Sequence, residues 1–215
     1  MAAKLIWDLP TRLFHWSLVA LICGSYYTVE VTGDMDAHMT IGKAILTLVL
    51  FRVVWGFIGT RYARFDSFLA GPRAIVAYAK SLGGRDIEEY AGHNPLGGAV
   101  VMVMLALLLA QTGSGLFATD GEIYSGPLND LISRSAGNGV TEFHEVNFTI
   151  LMLVAAVHVA AAFFYLIVKR VNLIAPMITG RKPGSGDAIE GSRLVLAVFT
   201  LVAVAVGVVA TLALL

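Results

Sequence analysis

Residues 143–164 read FHEVNFTILMLVAAVHVAAAFF, and this stretch decides the fold class. From Val146 to Phe164 it contains no Asp, Glu, Lys or Arg. An apolar run of about 18 residues or more is long enough to cross a bilayer as a helix. The same run carries two histidines, His144 and His158. It therefore predicts a membrane helix with two ionisable side chains.

The composition of the whole chain agrees with a membrane protein. Of 215 residues, 57% are hydrophobic and 14% are charged, whereas soluble domains have about 25% charged residues. This excludes a soluble enzyme, a disordered tail and a disulfide scaffold. The net charge of zero argues against nucleic acid as a partner, and the single cysteine, Cys23, can form no intramolecular bridge. There is no CxxCH motif, which excludes covalent c-type haem.

Apolar runs predict an all-α helix bundle with five membrane spans, at 12–30, 39–59, 96–117, 143–168 and 193–215. Twelve Lys and Arg residues precede the first span or lie between spans two and three and between spans four and five. The two other connections contain one cation, Arg134. Cytoplasmic loops carry the excess of cations, so we expect a multi-pass protein with a cytoplasmic N-terminus and a C-terminus on the opposite side, which in a bacterial inner membrane is the periplasm.

Two of the connecting segments have a pattern of their own. Residues 64–82 predict an amphipathic helix that begins at Pro72 and lies on the cytoplasmic surface, with a packed connector as the alternative. Residues 118–142 are rich in turn formers. We expect this outer segment to cap the outer mouth of the bundle.

The histidines predict two sites at different depths. His144 and His158 are 14 residues apart, which places them within about 40° of one helix face and roughly 21 Å apart along the axis. They cannot share a metal ion, so each needs a partner from another helix. His38, at the outer start of span two, is level with His144. His15, near the cytoplasmic start of span one, matches His158.

Paired imidazoles in hydrocarbon favour haem over zinc. Zn²⁺ generally takes four ligands, and no Cys, Asp or Glu accompanies these pairs inside the membrane. Haem brings four nitrogens and needs only two axial ligands. A centre ligated in this way has no open position at iron and passes single electrons. Interhelical hydrogen bonds by the histidines are the alternative.

Three further residues are candidates for cofactor binding. Arg52 lies mid-span and 14 residues after His38, so it shares that inward face and predicts a contact with the propionates of an inner haem. Snorkelling of Arg52 toward the cytoplasm is its alternative. Arg12 is a second propionate candidate. His93, in GHNPLGG, is interpreted as a loop or quinone-pocket residue and not as an iron ligand.

Four stretches together resemble a known family: WDLPTRLFHW (7–16), HMTIGKAILTLVLFRVVWGF (38–57), GHNPLGG (92–98), and FHEVNFTILMLVAAVHVAAAFF (143–164) followed by KRVNLIAPMITGRK (169–182). They are similar to bacterial cytochrome b561 and the b-type cytochromes of nickel-iron hydrogenases. The resemblance covers about residues 4–182. It implies a four-helix di-haem b core with axial ligands at His15, His38, His144 and His158.

The resemblance also implies a function. Residues 1–182 would form the di-haem domain, and 183–215 a linker with an additional C-terminal transmembrane helix. The two haems b would carry electrons between a quinone in the bilayer and a periplasmic c-type cytochrome, hydrogenase or dehydrogenase subunit. The alternatives are a superoxide:quinone oxidoreductase, which the acidic outer connections disfavour, and a haem-free membrane scaffold. Whether the protein acts as an enzyme by itself, and whether it forms a homo-oligomer, stay open.

Overall fold

The computed structural model describes residues 3–84, 88, 90–184 and 186–214, most of which are helical. The helices are α1 (Leu9–Tyr27), α2 (Met35–Ile58), α3 (Pro72–Ser81), α4 (Pro95–Gly115), α5 (Arg134–Ile167), α6 (Ile174–Thr179) and α7 (Leu194–Leu214). One π-helical turn, Thr28–Thr32, follows α1. Two short strands, β1 (Lys4–Leu5) and β2 (Arg181–Lys182), pair antiparallel. The all-α prediction is confirmed.

Among the described residues, four helices are long and apolar enough to cross a membrane: α2, α4, α5 and α7. Large apolar side chains project from them, such as Val157 at 66% exposed and Phe199 at 71% exposed. So many exposed apolar side chains would be unfavourable in water and are normal against lipid. The chain is therefore a multi-pass membrane protein. Helix α1 has 19 residues, but Arg12 and His15 make its start polar, and its span stays a prediction.

Helix α5 begins at Arg134, nine residues before the predicted span. The outer segment 118–142 is therefore only partly loop. Ser133 caps the helix, because its hydroxyl oxygen accepts a hydrogen bond from the N–H of Ala136 at 3.3 Å. The Thr141 hydroxyl, one turn and a half further on, donates to the carbonyl of Thr119 at 2.9 Å. These bonds stabilise the first turns of α5, where Gly137 and Gly139 had indicated a turn or loop.

Segment 64–82 contains the helix predicted to begin at Pro72. Helix α3 does begin at Pro72, but residues before it form two 3₁₀ turns, Arg61–Ala63 and Phe65–Ser67. Helix α3 buries Tyr78 and exposes most of its other side chains. The aromatic rings of Phe65 and Phe68 are buried. The segment thus combines a packed connector with an amphipathic helix.

The chain divides into two compact units. The first unit consists of Met1–Leu13, Val53–Met104 and Val154–Ala197, and the second of Phe14–Arg52, Leu105–Leu153 and Val198–Leu215. By sequence, the first unit has twelve basic and seven acidic residues, and the second has three basic and eight acidic residues. The zero net charge of the chain therefore conceals two units of opposite charge.

In the first unit, Asp8 holds the start of α1 to the end of α2. Its side chain is buried at 1% exposed. One carboxylate oxygen accepts the N–H of Thr11 at 2.6 Å, and the other accepts the indole N–H of Trp55 at 3.3 Å and the hydroxyl of Thr60. A carboxylate at a helix start satisfies free N–H groups and complements the helix dipole. The WDLPTR stretch is thus a structural connection at this end.

Candidate functional site

The second unit brings together two of the predicted ligands, His38 of α2 and His144 of α5. Their ring centroids lie 6.4 Å apart, and the ring planes are inclined at 83°. A metal–imidazole bond is about 2 Å long, and a ring nitrogen lies about 1 Å from its centroid, so two imidazoles on opposite sides of one iron have centroids roughly 6 Å apart. The observed separation fits one iron between the rings.

The serine before the π-helical turn orients His38. The Nδ1 atom of His38 lies 3.1 Å from the hydroxyl oxygen of Ser25 and 3.3 Å from its carbonyl oxygen. A carbonyl oxygen can only accept, so this contact requires the proton on Nδ1. The lone pair of Nε2 is then available to a metal. Metal-bound histidines usually have their second nitrogen held in this way.

A second serine does the same for His144. The hydroxyl of Ser114, in α4, donates to the carbonyl of Gln111 at 3.0 Å and lies 3.0 Å from Nδ1 of His144. Because the Ser114 hydroxyl donates its only proton to the Gln111 carbonyl, its oxygen accepts the hydrogen bond from Nδ1–H of His144. Both histidines therefore present Nε2 as the unprotonated atom, which is the tautomer that an axial ligand needs.

Two features of α4 bring His144 to this place. A Cβ atom at Gly115 would lie 3.1 Å from Cε1 of His144, so the absence of a side chain leaves room for the imidazole. One turn along α5, the buried amide of Asn147 donates to Gln111 Oε1 at 2.6 Å and to the carbonyl of Leu107 at 3.0 Å. Such interhelical bonds between polar groups strengthen packing in a membrane.

The other two predicted ligands fall in different units. His15 of the second unit is half-buried and has an edge contact with Trp16, with centroids 4.9 Å apart. His158 of the first unit is exposed on α5. The pairing of His15 with His158 stays a prediction.

Of the two arginine candidates, Arg52 is buried and Arg12 is partly buried. Arg52 is 3% exposed, so its guanidinium does not snorkel to water. In the first unit, Arg12 donates from Nη1 to the carbonyl of Ile178 at 2.5 Å. Among the described residues, the buried Nε of Arg12 and the buried hydroxyl of Thr11 have no hydrogen-bond partner. Buried donors of this kind need an acceptor, and a haem propionate has the right chemistry.

His93 lies in an aromatic contact of the first unit. Its ring centroid is 4.7 Å from that of Trp7 and 4.8 Å from that of Phe68. Helix α4 can approach here because a Cβ atom at Gly98 would lie 2.6 Å from the carbonyl oxygen of Phe68. These contacts hold the entry to α4. The quinone-pocket interpretation of His93 stays a prediction.

The sequence model of one family matches residues 6–180, described as prokaryotic cytochrome b561. This chain belongs to the prokaryotic cytochrome b561 family. Like the family as a whole, it is therefore a b-type cytochrome of the membrane, a class that carries electrons on haem b. The matched residues of this cytochrome include all four candidate ligands, and α7 lies beyond them.

Curated relatives of this cytochrome are similar over most of their length. Each is named "Probable Ni/Fe-hydrogenase B-type cytochrome subunit". The protein of Rhizobium leguminosarum bv. viciae is 24% identical over 82% of this chain and 87% of its own. That of Rhodobacter capsulatus is 22% identical over 86% and 83%, and that of Bradyrhizobium diazoefficiens is 24% identical over 82% and 85%. No solved structure matches this cytochrome significantly.

The acidic residues of the second unit are all exposed and lie in the same unit as His38 and His144: Glu30, Asp34, Asp36, Asp120, Glu122, Asp130, Glu142 and Glu145. Asp120 accepts hydrogen bonds from the backbone N–H groups of Glu122, Ile123 and Tyr124 at 2.9 Å. These bonds, that of Glu122 first, lower the pKa of Asp120. The surface of this unit is therefore negative, and it would attract cations and basic proteins.

Proposed function

We propose that this cytochrome is a di-haem electron carrier that exchanges electrons between a quinone in the bilayer and a redox partner on the periplasmic side. The juxtaposition of His38 and His144 carries the proposal. One haem b would have these two residues as axial ligands, and a second would have His15 and His158. Two centres suit quinone chemistry, because a quinone takes two electrons and each iron passes one.

The residues of this chain have distinct roles around the outer centre. His38 and His144 would hold the haem iron through Nε2, while Ser25 and Ser114 contact the Nδ1 atoms of the same rings. Haem supplies one-electron chemistry when it is bound. With His38 and His144 both bound to the iron, the site would exclude substrate from it and favour electron transfer. For the second centre, Arg52 and Arg12 are the proposed partners of the propionates.

The partner is proposed from two observations. The curated relatives are named as nickel-iron hydrogenase cytochrome subunits, which favours a hydrogenase of that kind as the electron donor or acceptor. The second unit is negative, which favours a basic surface on the partner. The first unit carries the excess of cations, which favours a cytoplasmic location for its loops and for the N-terminus. The C-terminus would then be periplasmic. Superoxide is disfavoured as a substrate, because the acidic surface would repel it.

The proposal is tested by the spectrum and haem content of the purified protein. We expect a reduced-minus-oxidised spectrum of low-spin haem b and about two haems per chain by pyridine haemochrome. The prereduced protein should be reoxidised by a short-chain quinone such as decylubiquinone. A colourless preparation would exclude the electron carrier and favour a scaffold. A single haem per chain would exclude one of the two centres.

A further inference from the structure

In the first unit, a cavity of about 30 Å³ lies where α3 meets the end of α5. Its polar lining includes three tyrosines, an asparagine, a glutamate and a lysine: Tyr78, Tyr90, Tyr165, Asn94, Glu88 and Lys182. A site of roughly 10–15 Å³ is enough for one water if it has several polar partners. The cavity is too small for a quinone ring, and its size and lining fit a water molecule.

Two of these tyrosines form a buried hydroxyl pair. Tyr78 is 6% exposed and Tyr165 is 7% exposed, and their hydroxyl oxygens are 2.9 Å apart, where either can donate. The amide of Asn94 also donates to the Tyr165 hydroxyl at 3.3 Å. If Tyr78 donates to Tyr165, the Tyr165 oxygen accepts two bonds and its own proton is available to a third group. Burial and the bond to Tyr165 raise the pKa of Tyr78, so the Tyr78 hydroxyl stays neutral.

On another side, the cavity is lined by Tyr90 and by Glu88, which is exposed to solvent. The carboxylate of Glu88 accepts a hydrogen bond from the Tyr90 hydroxyl at 2.7 Å. The ring of Tyr90 contacts that of Tyr78, with centroids 5.7 Å apart. Lys182 donates to the carbonyl of Tyr90 at 2.6 Å, which fixes this residue to β2. The groups therefore run from an exposed carboxylate, through a half-buried phenol and a water-sized cavity, to two buried phenols.

The buried end lies on the same side of α5 as a proposed iron ligand. Tyr165 follows His158 by seven residues on this helix, which is within about 20° of the same face and about 10 Å along the axis. A quinone that receives electrons near His158 would therefore be close to the Tyr165 hydroxyl. Reduction of a quinone to a quinol takes one proton for each electron, and the protons bind to the two quinone oxygens.

We propose that the Tyr78–Tyr165 hydroxyl pair and the cavity beside it form the proton-entry site for quinone reduction by this cytochrome. This inference rests on the proposed exchange of electrons with quinone. Tyr165 gives its hydroxyl proton to the quinone oxygen and takes one from Tyr78. Tyr78 is reprotonated from the water in the cavity, which exchanges protons with bulk water past Tyr90 and Glu88. This relay operates twice for each quinone, so that two electrons and two protons convert one quinone to one quinol, and both tyrosines return to their original state after each transfer.

The test compares two oxidants of the prereduced holoprotein in stopped flow. Decylubiquinone takes protons with its electrons, and ferricyanide takes electrons alone. Tyr165→Phe should slow haem oxidation by decylubiquinone about tenfold or more, the scale of losing a positioned proton donor, and should leave oxidation by ferricyanide unchanged. The solvent deuterium isotope effect of the quinone reaction should change with it. A reduced-minus-oxidised infrared difference spectrum should also lose a tyrosine band.

Two more variants keep the inference falsifiable. Tyr78→Phe removes the other hydroxyl of the pair. Tyr78 belongs to α3 and not to one of the long helices. This variant should also slow haem oxidation by decylubiquinone and leave oxidation by ferricyanide unchanged. Tyr62→Phe is the matched control, because this buried tyrosine of the same unit donates to the carbonyl of Asp187 and does not line the cavity. Wild-type rates with decylubiquinone in both cavity variants would overturn the proton-entry site. If ferricyanide but not decylubiquinone oxidises the wild type, the proposed exchange with quinone is wrong instead.

Should both cavity variants lose haem, Glu88→Gln tests the exposed entrance without changing the buried pair. A slower quinone reaction with unchanged ferricyanide oxidation supports the site. An unchanged quinone reaction would overturn the pathway through Glu88 and Tyr90.

Discussion

The imidazole ring centroids of His38 and His144 lie 6.4 Å apart, and each ring has its Nδ1 atom next to a serine of the preceding long helix. Ser25 of α1 contacts His38 of α2, and Ser114 of α4 contacts His144 of α5. The two halves of the site thus repeat one arrangement, in which one helix supplies the ligand and the helix before it supplies the serine.

Removing one ligand should remove one haem. We expect His144→Ala to lower the haem content from about two per chain to about one, because a bis-histidine centre needs both imidazoles. His38→Ala should give the same spectrum. Pyridine haemochrome and low-temperature difference spectra measure the loss. An equal loss of both haems would contradict two independent sites.

The serines should tune the potential of the outer haem. A hydrogen bond from Nδ1–H makes the imidazole a stronger donor and favours Fe(III), so Ser114→Ala should raise the midpoint potential. A hydrogen bond of about 0.5–1.5 kcal/mol corresponds to roughly 20–60 mV for one electron. Ser25→Ala should act in the same direction. Redox titration measures the shift.

Ser17→Ala is the control for the serine variants, because Ser17 is on α1 and exposed. It should leave both potentials unchanged. If Ser114→Ala moved neither haem, or lowered the outer potential, the proposed orientation of His144 by Ser114 would be wrong. A threonine at position 114 keeps the hydroxyl and should restore most of the wild-type value.

The room that Gly115 leaves for His144 can be tested against a glycine two residues away. Gly115→Ala places a methyl group about 3.1 Å from the imidazole and should lower occupancy of the outer haem. Gly113→Ala meets no atom within 4 Å and should be neutral or stabilise α4, since alanine in a helix is favoured over glycine by about 1 kcal/mol. Haem content and the midpoint of thermal haem loss measure both. Equal behaviour of the two variants would contradict the contact.

Much of this arrangement follows from sequence periodicity, and some of it does not. The pairing of His38 with His144 was predictable because helix geometry and span ends fix depth to within about a turn. Ser25 and Ser114 were not predicted to contact the histidines, since serine is common in membrane helices and its partner depends on helix rotation. The available signal was that each of the two helices that precede a ligand helix carries a serine, Ser25 or Ser114, that could contact the histidine. The early start of α5 was missed because its stabilising bonds come from Ser133 and from Thr119, in the preceding loop.

Asp8 should contribute strongly to stability although it lies far from His38 and His144 in sequence. Asp8→Ala leaves the indole N–H of Trp55 and the hydroxyl of Thr60 without their acceptor. Buried groups left in this state cost about 2–4 kcal/mol in total. The apparent melting temperature, followed by the Soret band, should fall. Asp66→Asn is the control, because Asp66 is exposed and pairs only with Arg64 within the described residues, and it should change the melting temperature little.

The acidic surface of the second unit should steer a basic partner to the outer haem. Reduction of a basic c-type cytochrome by the prereduced protein should slow as ionic strength rises, because salt screens exposed charges over about 10 Å at 0.1 M. Replacing Glu142 and Glu145 by glutamine should reduce the rate several-fold at low salt and have little effect at high salt. Glu190→Gln, an exposed change in the first unit, should leave the rate unchanged. A rate that does not depend on ionic strength, or an equal effect of Glu190→Gln, would exclude electrostatic steering by this surface.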